Sequence, residues 1–306
     1  MKPGRFISSL ATLGLLSCSA LLGKDTDEKP AGKTYLYEEG RIHFKDIGRG
    51  RPIVFIHGFG ASTDTWRFLV DDLKDDYRLV LPDLKGHGFS DRPRDSMYSL
   101  ADHAAAVLGL MDHLGLSNAV LVGHSLGSAI ALLVALRARE PSTDNVSAIV
   151  LITGSLDPEQ LPLFLKLFRL PVFGWVVMKL TTASFRTRLA LRKSVYDKER
   201  ITDSWVELYA KYQRIPGTDY ALLKIAEQMI PQDASQLKEE VRKLKIPVLS
   251  ILGEHDEVIS RESGEEVCKV LPRCSTVIVD GVGHIPHEEK PENVIPLLKD
   301  FIRGLS

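Results

Sequence analysis

Short apolar runs alternate with longer stretches of helical periodicity along most of this chain. The runs are predominantly apolar and end close to Gly, Pro or Asp, as strands buried on both faces of a sheet do. Six of them are predicted as strands: residues 53–56, 78–81, 119–122, 148–151, 248–252 and 276–279. Five stretches between them carry apolar residues three or four positions apart and are predicted as helices: residues 65–73, 101–114, 126–138, 263–270 and 294–302. This alternation predicts an α/β fold with a mostly parallel sheet covered by helices on both faces.

The alternation is interrupted between residues 155 and 243. This segment contains no convincing strand and several helical pieces separated by prolines. Its most apolar part, residues 161–180, also contains two prolines and three basic side chains, which argues against a membrane span. We predict a helical insertion, or lid, over residues 155–243, folded over the carboxyl edge of the sheet, where open α/β sheets bind ligands. The core then comprises residues 35–154 and 244–306. The alternative is a helical appendage with no part in substrate binding.

The composition is that of an ordinary globular protein. The chain has 306 residues, of which 44% are hydrophobic and 26% charged, and 39 basic side chains nearly balance 40 acidic ones. A formal charge of -1 provides no field that would attract a polyanion, so the composition does not indicate a nucleic-acid partner. The length alone favours two domains, but a single core with a helical insertion would have the same length.

The first 23 residues have the order of an export signal. Two basic residues precede an apolar run over residues 6–16, and small residues follow before a charged stretch. The run is short for a membrane span, which needs about 20 residues. We therefore expect residues 1–23 to be an export leader and the protein to act in the periplasm or at the cell surface. An uncleaved anchor helix is the alternative and would also place the protein outside the cytoplasm.

The residues around Cys18 resemble a bacterial lipobox, in which the cysteine is lipidated and becomes the mature N-terminus. The sequence Leu-Leu-Ser-Cys at residues 15–18 carries this resemblance, although Leu16 is an unusual residue at its place. Lipidation would tether the protein to a membrane through residues 24–34, a polar linker. Ordinary cleavage near Ala20 is the other fate, and the sequence leaves both open.

Two cysteines remain beyond Cys18. Cys268 is predicted on the inner face of a helix and Cys274 just before a strand. An exported protein can pair such residues, but the sequence does not show that their Cβ atoms face each other. We expect two unpaired, apolar cysteines.

The central chemical motif is Gly-His-Ser-Leu-Gly at residues 123–127. A G-x-S-x-G match arises by chance about one time in ten in a chain of this length, so its position matters more than its letters. It lies between a predicted strand and a predicted helix, as a nucleophile elbow requires. The sharp turn exposes the serine hydroxyl at a helix N-terminus, where the dipole favours developing negative charge. Ser125 is therefore the predicted nucleophile.

A serine hydroxyl needs a general base, and the base needs an orienting carboxylate. Asp256 follows the predicted strand 248–252 and His284 follows strand 276–279, so both are expected at the same sheet edge as Ser125. The order serine, aspartate, histidine along the chain is the one expected for this arrangement. We predict that Asp256 orients His284 and that His284 accepts the Ser125 proton.

Neighbouring residues offer alternatives for the acid and the base. Asp256 could merely cap the helix that follows it, and His287 could serve as the base in place of His284. The glycines before His284, however, suit a close approach to the site. The alternative carboxylates are Glu254, Glu257 and Asp157.

The negative oxygen formed on acyl attack needs backbone N–H donors. Leu126, the residue after the nucleophile, is one predicted donor, and Phe59 in the loop after strand 53–56 is the other. This loop reads His-Gly-Phe-Gly from residue 57. The alternative is a glycine turn that only lets the strand exit. His57 is expected to organise the loop rather than to transfer protons.

Together these stretches resemble the α/β-hydrolase fold serine hydrolases of the esterase, lipase and C–C bond hydrolase type. The resemblance rests on the motifs above, on Pro-Asp-Leu-Lys-Gly-His-Gly-Phe-Ser at residues 82–90, and on the His-Glu and Pro that follow His284. It runs from about residue 35 to residue 303, and it places the family's nucleophile, acid, base and oxyanion donors on the residues already named. One departure is Ser128, where many members have a third glycine, and it should tighten the first helical turn.

The resemblance also narrows the chemistry. Haloalkane dehalogenases and epoxide hydrolases of similar fold place Asp at the elbow, where this chain has Ser125. Asp83 and His87 are expected to be structural loop residues. The nine histidines form no HExxH-type motif, so no metal is expected, and no cofactor is implied.

The sequence therefore predicts hydrolysis of an ester or related acyl bond through an acyl-Ser125 intermediate. The apolar insertion, including Trp175, favours a small-molecule substrate with an apolar part. C–C bond, lactone and thioester hydrolysis use the same triad. A non-catalytic binding protein on this fold is the alternative from a different class.

Overall fold

One sheet of eight strands forms the centre of the part of the chain that the structure describes. In this computed structural model the described residues are 31–38, 40–138, 145–156, 163–230 and 234–305. The strands are β1 (Lys33–Tyr37), β2 (Gly40–Gly48), β3 (Arg51–Ile56), β4 (Tyr77–Pro82), β5 (Ala119–His124), β6 (Val146–Ile152), β7 (Val248–Gly253) and β8 (Cys274–Val279). Their order in the sheet is β1-β2-β4-β3-β5-β6-β7-β8. The pairs β1–β2 and β2–β4 are antiparallel and all others are parallel, which confirms the predicted, mostly parallel sheet.

The apolar pattern does not predict β1 or β2, because neither is a continuous apolar run. No side chain of β1 is buried, and those buried in β2 are Ile42, His43 and Phe44. Antiparallel strands at a sheet edge tolerate this exposure, whereas a central parallel strand is covered on both faces. β1 begins at Lys33, two residues before the predicted start of the core.

Helices cover both faces of the sheet. Successive residues of β3 show this, since Ile53 and Phe55 belong to one apolar cluster and Val54 and Ile56 to the other. α2, α3 and α10 contribute to the cluster around Val54, and α1 and α12 contribute to the cluster around Ile53. The helices in the described part of the chain are α1 (Arg67–Leu73), α2 (Leu100–His113), α3 (Leu126–Arg137), α4 (Leu163–Phe168), α5 (Pro171–Leu180), α6 (Ala183–Ser194), α7 (Asp203–Gln213), α8 (Thr218–Gln228), α9 (Ala234–Val241), α10 (Arg261–Val270), α11 (Pro286–Glu289) and α12 (Pro291–Arg303).

Helices α4 to α9 lie between β6 and β7 and are called the insertion below. Ala221 and Ile225 of α8 share an apolar cluster with Leu84 and Tyr98, so part of the insertion is packed on the core. Asp64 adds a polar connection: Tyr212 donates its hydroxyl to this carboxylate at 2.6 Å. Burial raises the pKa of Asp64, but hydrogen bonds, chiefly from Tyr212 and a lysine ammonium, outweigh it and lower that pKa to about 2. Among the described residues, no helix is both long and apolar enough to cross a membrane.

The prediction of two unpaired cysteines is wrong, because the structure joins Cys268 and Cys274 in a disulfide. Cys268 lies in the last turn of α10 and Cys274 is the first residue of β8. The chain reverses between them, which brings their Cα atoms to 5.0 Å, within the range that a disulfide spans. The short separation of six residues did not by itself reveal this approach, because the turn decides which way the Cβ atoms point.

Five of the buried histidines have a pKa below the usual value for histidine. Burial is the main cause of a lowered pKa in all five, and it takes the pKa of His103 and of His287 to about 3. Both ring nitrogens of His103 lack a hydrogen-bond partner within the described residues, so nothing there compensates a positive charge. These rings are neutral in the folded protein near pH 7. The five are His57, His87, His103, His124 and His287.

Replacing His103 by Leu should make the protein less sensitive to acid. The unfolded chain binds a proton at His103 below about pH 6.5, whereas the folded protein does so only near pH 3. The stability that depends on a neutral His103 is thus fully present above about pH 6.5 and is lost progressively as the pH falls toward 3. The measurement is the free energy of unfolding by denaturant at pH 7.5 and at pH 5. Between these two pH values, the free energy of unfolding of the wild type should fall by about 2 kcal/mol more than that of His103→Leu. Equal losses in both proteins would contradict the assignment of a neutral, buried His103.

Candidate active site

The turn from β5 to α3 holds Ser125 in a strained backbone conformation. Its backbone angles, φ 52° and ψ -117°, lie outside the regions that residues other than glycine normally adopt. The Ser125 N–H donates to the carbonyl of Ile152 at 3.0 Å, which ties the turn to the neighbouring strand β6. Leu126 is the first residue of α3, so its N–H is one of the unpaired donors of a helix start. This is the geometry of the predicted elbow.

Two glycines make this turn possible because the backbone passes very close to them. A Cβ on Gly123 would lie 2.3 Å from the Gly127 carbonyl oxygen, and one on Gly127 would lie 2.0 Å from the Ile56 oxygen. Ser128, the departure from the family pattern, donates its hydroxyl to the Gly123 carbonyl at 2.8 Å. Gly154 makes room for that serine, since a Cβ there would approach Ser128 Cβ to 2.6 Å. The Ser128 hydroxyl, on α3, thus stabilises the turn by its hydrogen bond to the main chain of Gly123.

Asp256 and His284, both predicted from the sequence, lie together at the carboxyl edge of the sheet. Asp256 Oδ2 is 2.8 Å from His284 Nδ1, and both side chains are buried. Val258 and Ile259 donate their N–H groups to the other carboxylate oxygen, Oδ1, at 2.7 and 3.0 Å. Because an ionised carboxylate only accepts hydrogen bonds, His284 Nδ1 carries the proton and Nε2 is left as an acceptor. Nε2 is the atom that a general base needs.

The main chain of His284 is held on both sides. Its carbonyl oxygen accepts from the Thr153 hydroxyl at 2.9 Å and from His124 Nε2 at 2.9 Å. Its N–H donates to the carbonyl of Ser194 at 2.6 Å. Thr153 follows β6 and Ser194 ends α6, so both the core and the insertion fix this histidine. Sequence reasoning missed Thr153 and Ser194, since neither is part of a motif.

Glu289 is a second connection between the histidine loop and the insertion. One carboxylate oxygen accepts from the Gly283 N–H at 2.7 Å and the other from the Tyr196 N–H at 2.8 Å. Glu289 is almost wholly buried, and burial raises its pKa. Gly283 is needed here because a Cβ would lie 2.3 Å from the Ser194 oxygen. Glu289 lies five residues after His284, but that spacing did not identify it from the sequence.

The alternative acid and base residues have other partners. His287 Nε2 lies 3.0 Å from the Thr65 hydroxyl, and the His284 ring rather than this one meets Asp256. Glu254 accepts from the Gly281 N–H, and Glu257 pairs with lysines of the insertion. Asp157 lies outside the described residues.

The loop after β3 is organised by histidines and by a buried carboxylate. His57 Nε2 accepts from the Leu84 N–H at 3.0 Å, and His87 Nε2 accepts from the Gly60 N–H at 3.1 Å. Asp83 accepts from three donors, the N–H groups of Thr63 and Phe89 and the ring of His43. These contacts give His57, His87 and Asp83 the structural roles expected for them. They hold the loop that carries Phe59, the second predicted oxyanion donor.

The insertion reaches this loop through an aromatic contact. The ring of Phe168, at the end of α4, meets the ring of Phe59 edge-on with centroids 6.3 Å apart. Leu126 is also part of the buried apolar cluster on this side of the sheet, and Phe59 packs against it. Apolar side chains therefore surround the predicted oxyanion donors. Within the described ranges, no group of three or more His, Cys, Asp or Glu side chains is arranged to hold a metal ion.

Comparison with known proteins agrees with this geometry. The family model of the alpha/beta hydrolase fold matches residues 51–291. The chain belongs to the α/β hydrolase fold family. Its curated relatives include the uncharacterized hydrolase YugF of Bacillus subtilis (strain 168), 28% identical over 262 residues that cover 85% of this chain and 93% of YugF. Lipase 3 of Moraxella sp. (strain TA144) is 27% identical over 270 residues, which cover 84% of this chain and 78% of the lipase.

Solved structures of α/β hydrolases share the fold. A meta-cleavage product hydrolase from Pseudomonas fluorescens IP01 superposes with a TM-score of 0.76 at 24% identity, covering 90% of this chain and 98% of the other. At this identity the likeness shows the shared architecture alone.

Ser125 should react with a fluorophosphonate, which an activated serine attacks at phosphorus with loss of fluoride. We expect stoichiometric labelling of the wild type on the peptide that contains Ser125, and no label in Ser125→Ala. His284→Ala should slow labelling on the order of 10³-fold or more, since the base is lost. Intact-mass and peptide mass spectrometry provide the measurement.

Circular dichroism of each variant serves as the folding control for this experiment. Folded wild-type protein that takes up no label at Ser125 would refute the assignment of a nucleophile, and would favour a non-catalytic binding protein.

Proposed function

We propose that this protein is a serine hydrolase that cleaves an ester or a related acyl bond, in the manner of a carboxylesterase or lipase. The observation that carries the proposal is the 2.8 Å hydrogen bond between Asp256 and His284, at the sheet edge where the β5–α3 turn presents Ser125. Members of the same family with hydrolase and lipase names support it. The substrate is a small molecule, and the reaction uses no cofactor.

In the first half of the reaction, Ser125 Oγ attacks the substrate carbonyl carbon and its proton passes to His284 Nε2. Asp256 stabilises the imidazolium that forms. The negative charge on the substrate oxygen is stabilised by the N–H groups of Phe59 and Leu126, at the positive end of α3. The C–O bond of the ester then breaks, and His284 returns the proton to the departing alcohol.

In the second half, a water molecule attacks the acyl-Ser125 carbonyl and gives its proton to His284. The same two N–H groups stabilise the second oxyanion. Cleavage of the acyl–Oγ bond releases the carboxylic acid, and the proton on His284 returns to Ser125. The sum is one ester and one water giving one acid and one alcohol.

The apolar surroundings of the oxyanion loop favour a substrate with an apolar acyl group. Phe168 lies beside Phe59, and Ile285, next to the proposed base, belongs to a small apolar cluster with Leu191 and Val195 of the insertion. Trp175, which the sequence assigned to the substrate cover, is instead more than half exposed. The apolar contribution of the insertion is thus expected from α4 and the end of α6.

Hydrolysis of a C–C bond, a lactone or a thioester is the alternative within the same triad. It is supported by a relative whose name is 2-hydroxymuconate semialdehyde hydrolase, 28% identical over 281 residues that cover 86% of this chain and 90% of the relative. The two relatives match this chain to a similar extent. We place ester hydrolysis first on the apolar contact of Phe168 with Phe59, the predicted oxyanion donor.

A series of p-nitrophenyl esters from acetate to laurate tests the substrate class. We expect kcat/KM to rise with acyl length through the medium chains. Phe168→Ala should lower kcat/KM for the octanoate about tenfold more than for the acetate, since burying a Phe side chain is worth about 1.5–3 kcal/mol.

Phe68→Ala is the matched control, because Phe68 is exposed on α1 and should leave the length dependence unchanged. A flat response to acyl length, with turnover of a lactone or thioester instead, would overturn the ester assignment.

The N-terminal pattern supports export of the protein and its attachment to a membrane by a lipid on Cys18. Residues 1–30 lie outside the described residues, so this part of the proposal rests on the order of basic, apolar and small residues in the leader. A lipid anchor would hold the hydrolase at the membrane through the polar residues that precede β1, which begins at Lys33.

Incorporation of radiolabelled palmitate tests the anchor. The wild type should be labelled, Cys18→Ala should carry no label, and the soluble fraction of the variant should rise. Export of unlabelled wild-type protein whose N-terminus lies near residue 21 would show ordinary cleavage instead.

A further inference from the structure

The outer face of α5 is apolar and exposed. Val172 is 77% exposed, Trp175 56% and Leu180 80%. With Val176 and Lys179 they lie on one side of the helix, because their spacing follows its period. Exposed apolar residues in a contiguous group of this kind mark a binding surface rather than ordinary surface scatter.

α6 continues this surface. Phe185 and Leu189 are one turn apart and are 59% and 55% exposed. Arg188 and Arg192 lie on the same side of the helix, while Leu191 on the opposite side is buried. The exposed side of α6 therefore combines aromatic and aliphatic groups with guanidinium groups.

Both helices turn their other side to the same inner layer, formed by α7 and α8. Gly174 of α5 lies against Leu223 of α8, where a Cβ would meet the leucine side chain at 2.5 Å. Thr187 of α6 accepts a hydrogen bond from Gln213 of α7 at 3.0 Å. The exposed faces of α5 and α6 thus share one outer side of the insertion, and together they are called the outer patch.

The charged side chains that residues 163–196 themselves contribute are all basic, although Arg186, Arg188 and Lys193 pair with Asp219, Asp203 and Glu257 of neighbouring segments. Residues 163–196 contain seven Lys and Arg side chains and no Asp or Glu, in a chain whose formal charge is -1. Among the described residues, Lys179 and Arg192 have no acidic partner. Arg188 pairs with Asp203, which is exposed, and an exposed pair of this kind contributes little and dissociates easily.

We propose that the outer patch docks on the surface of an anionic phospholipid bilayer. Aromatic and aliphatic side chains enter the boundary between headgroups and acyl chains, while the Lys and Arg side chains contact lipid phosphates. A basic residue near an anionic membrane surface strengthens binding about fivefold. A symmetric contact with a second copy is disfavoured, since it would bring two patches of the same positive charge together.

This docking is independent of the ester chemistry and of the lipid anchor. The docking involves the exposed faces of α5 and α6. The lipid anchor involves Cys18, which lies outside the described residues. The two contacts would orient the hydrolase on the membrane rather than merely keep it nearby.

Vesicle binding of the full-length chain tests the proposal. We expect co-sedimentation with vesicles of equal phosphatidylcholine and phosphatidylglycerol at low salt, and weaker binding to phosphatidylcholine alone or at high salt. The double variant Lys179→Glu/Arg192→Glu should bind the anionic vesicles at least tenfold more weakly. The double variant Arg242→Glu/Lys243→Glu changes the net charge equally at exposed residues after α9 and should bind like the wild type.

Trp175 provides a direct optical signal. Of the three tryptophans, Trp66 is buried and Trp205 donates to Glu288 inside the protein, so membrane entry should change the emission of Trp175. Anionic vesicles should shift the emission to shorter wavelength in the wild type. Trp175→Phe should lose this shift and still bind vesicles.

Three results would overturn the proposal. Equal binding by the patch and control variants would show that the N-terminal segment or general charge is responsible. Unchanged Trp175 emission in the presence of anionic vesicles would show that the outer patch does not enter the membrane. A change of oligomeric state in the patch variants, without any dependence on anionic lipid, would identify a second copy as the occupant.

Discussion

The left-handed backbone at Ser125 is the constraint on which the rest of the site depends. A non-glycine residue in such a conformation costs about 1–3 kcal/mol, and it persists because the surroundings leave no alternative. Gly127 lets the start of α3 pass close to the Ile56 carbonyl of β3, and Gly123 lets the end of β5 pass close to the Gly127 carbonyl. The Ser125 N–H donates to the carbonyl of Ile152 in β6. The buried parallel sheet thus holds the strained turn that places Ser125 at the start of α3.

The histidine loop depends on the insertion as much as on the core. The Thr153 hydroxyl and the His124 ring hold the carbonyl of His284, but its N–H is satisfied by Ser194, at the end of α6. Glu289 binds Gly283 and Tyr196 with its two oxygens. Leaving such buried donors unpaired would cost about 1–3 kcal/mol each. The position of the proposed base is therefore coupled to the position of α6.

The insertion has two sides with different chemistry. Toward the core it contributes Phe168 beside the oxyanion loop and Leu191 and Val195 beside Ile285. Away from the core it exposes aliphatic, aromatic and basic side chains on α5 and α6. One continuous stretch of sequence thus supplies both side chains that pack on the core and side chains that form an outer surface. The division follows from the helical period, which turns residues three or four apart to one side and those between them to the other.

Local pattern was sufficient for the central strands, the helices that cover them and the order of Ser125, Asp256 and His284, because each is encoded by residues adjacent in the chain. A buried parallel strand must be apolar on both faces, and a strand-to-helix turn with a strained serine needs glycines close by. The edge strands β1 and β2 escaped prediction because an exposed antiparallel edge imposes little pattern. The Cys268–Cys274 disulfide, the supporting roles of Thr153, Ser194 and Glu289, and the exposure of Trp175 were decided only by the tertiary structure. Each of these depends on which way a side chain points once distant segments have packed, and that direction is set by three-dimensional packing rather than by neighbours in sequence.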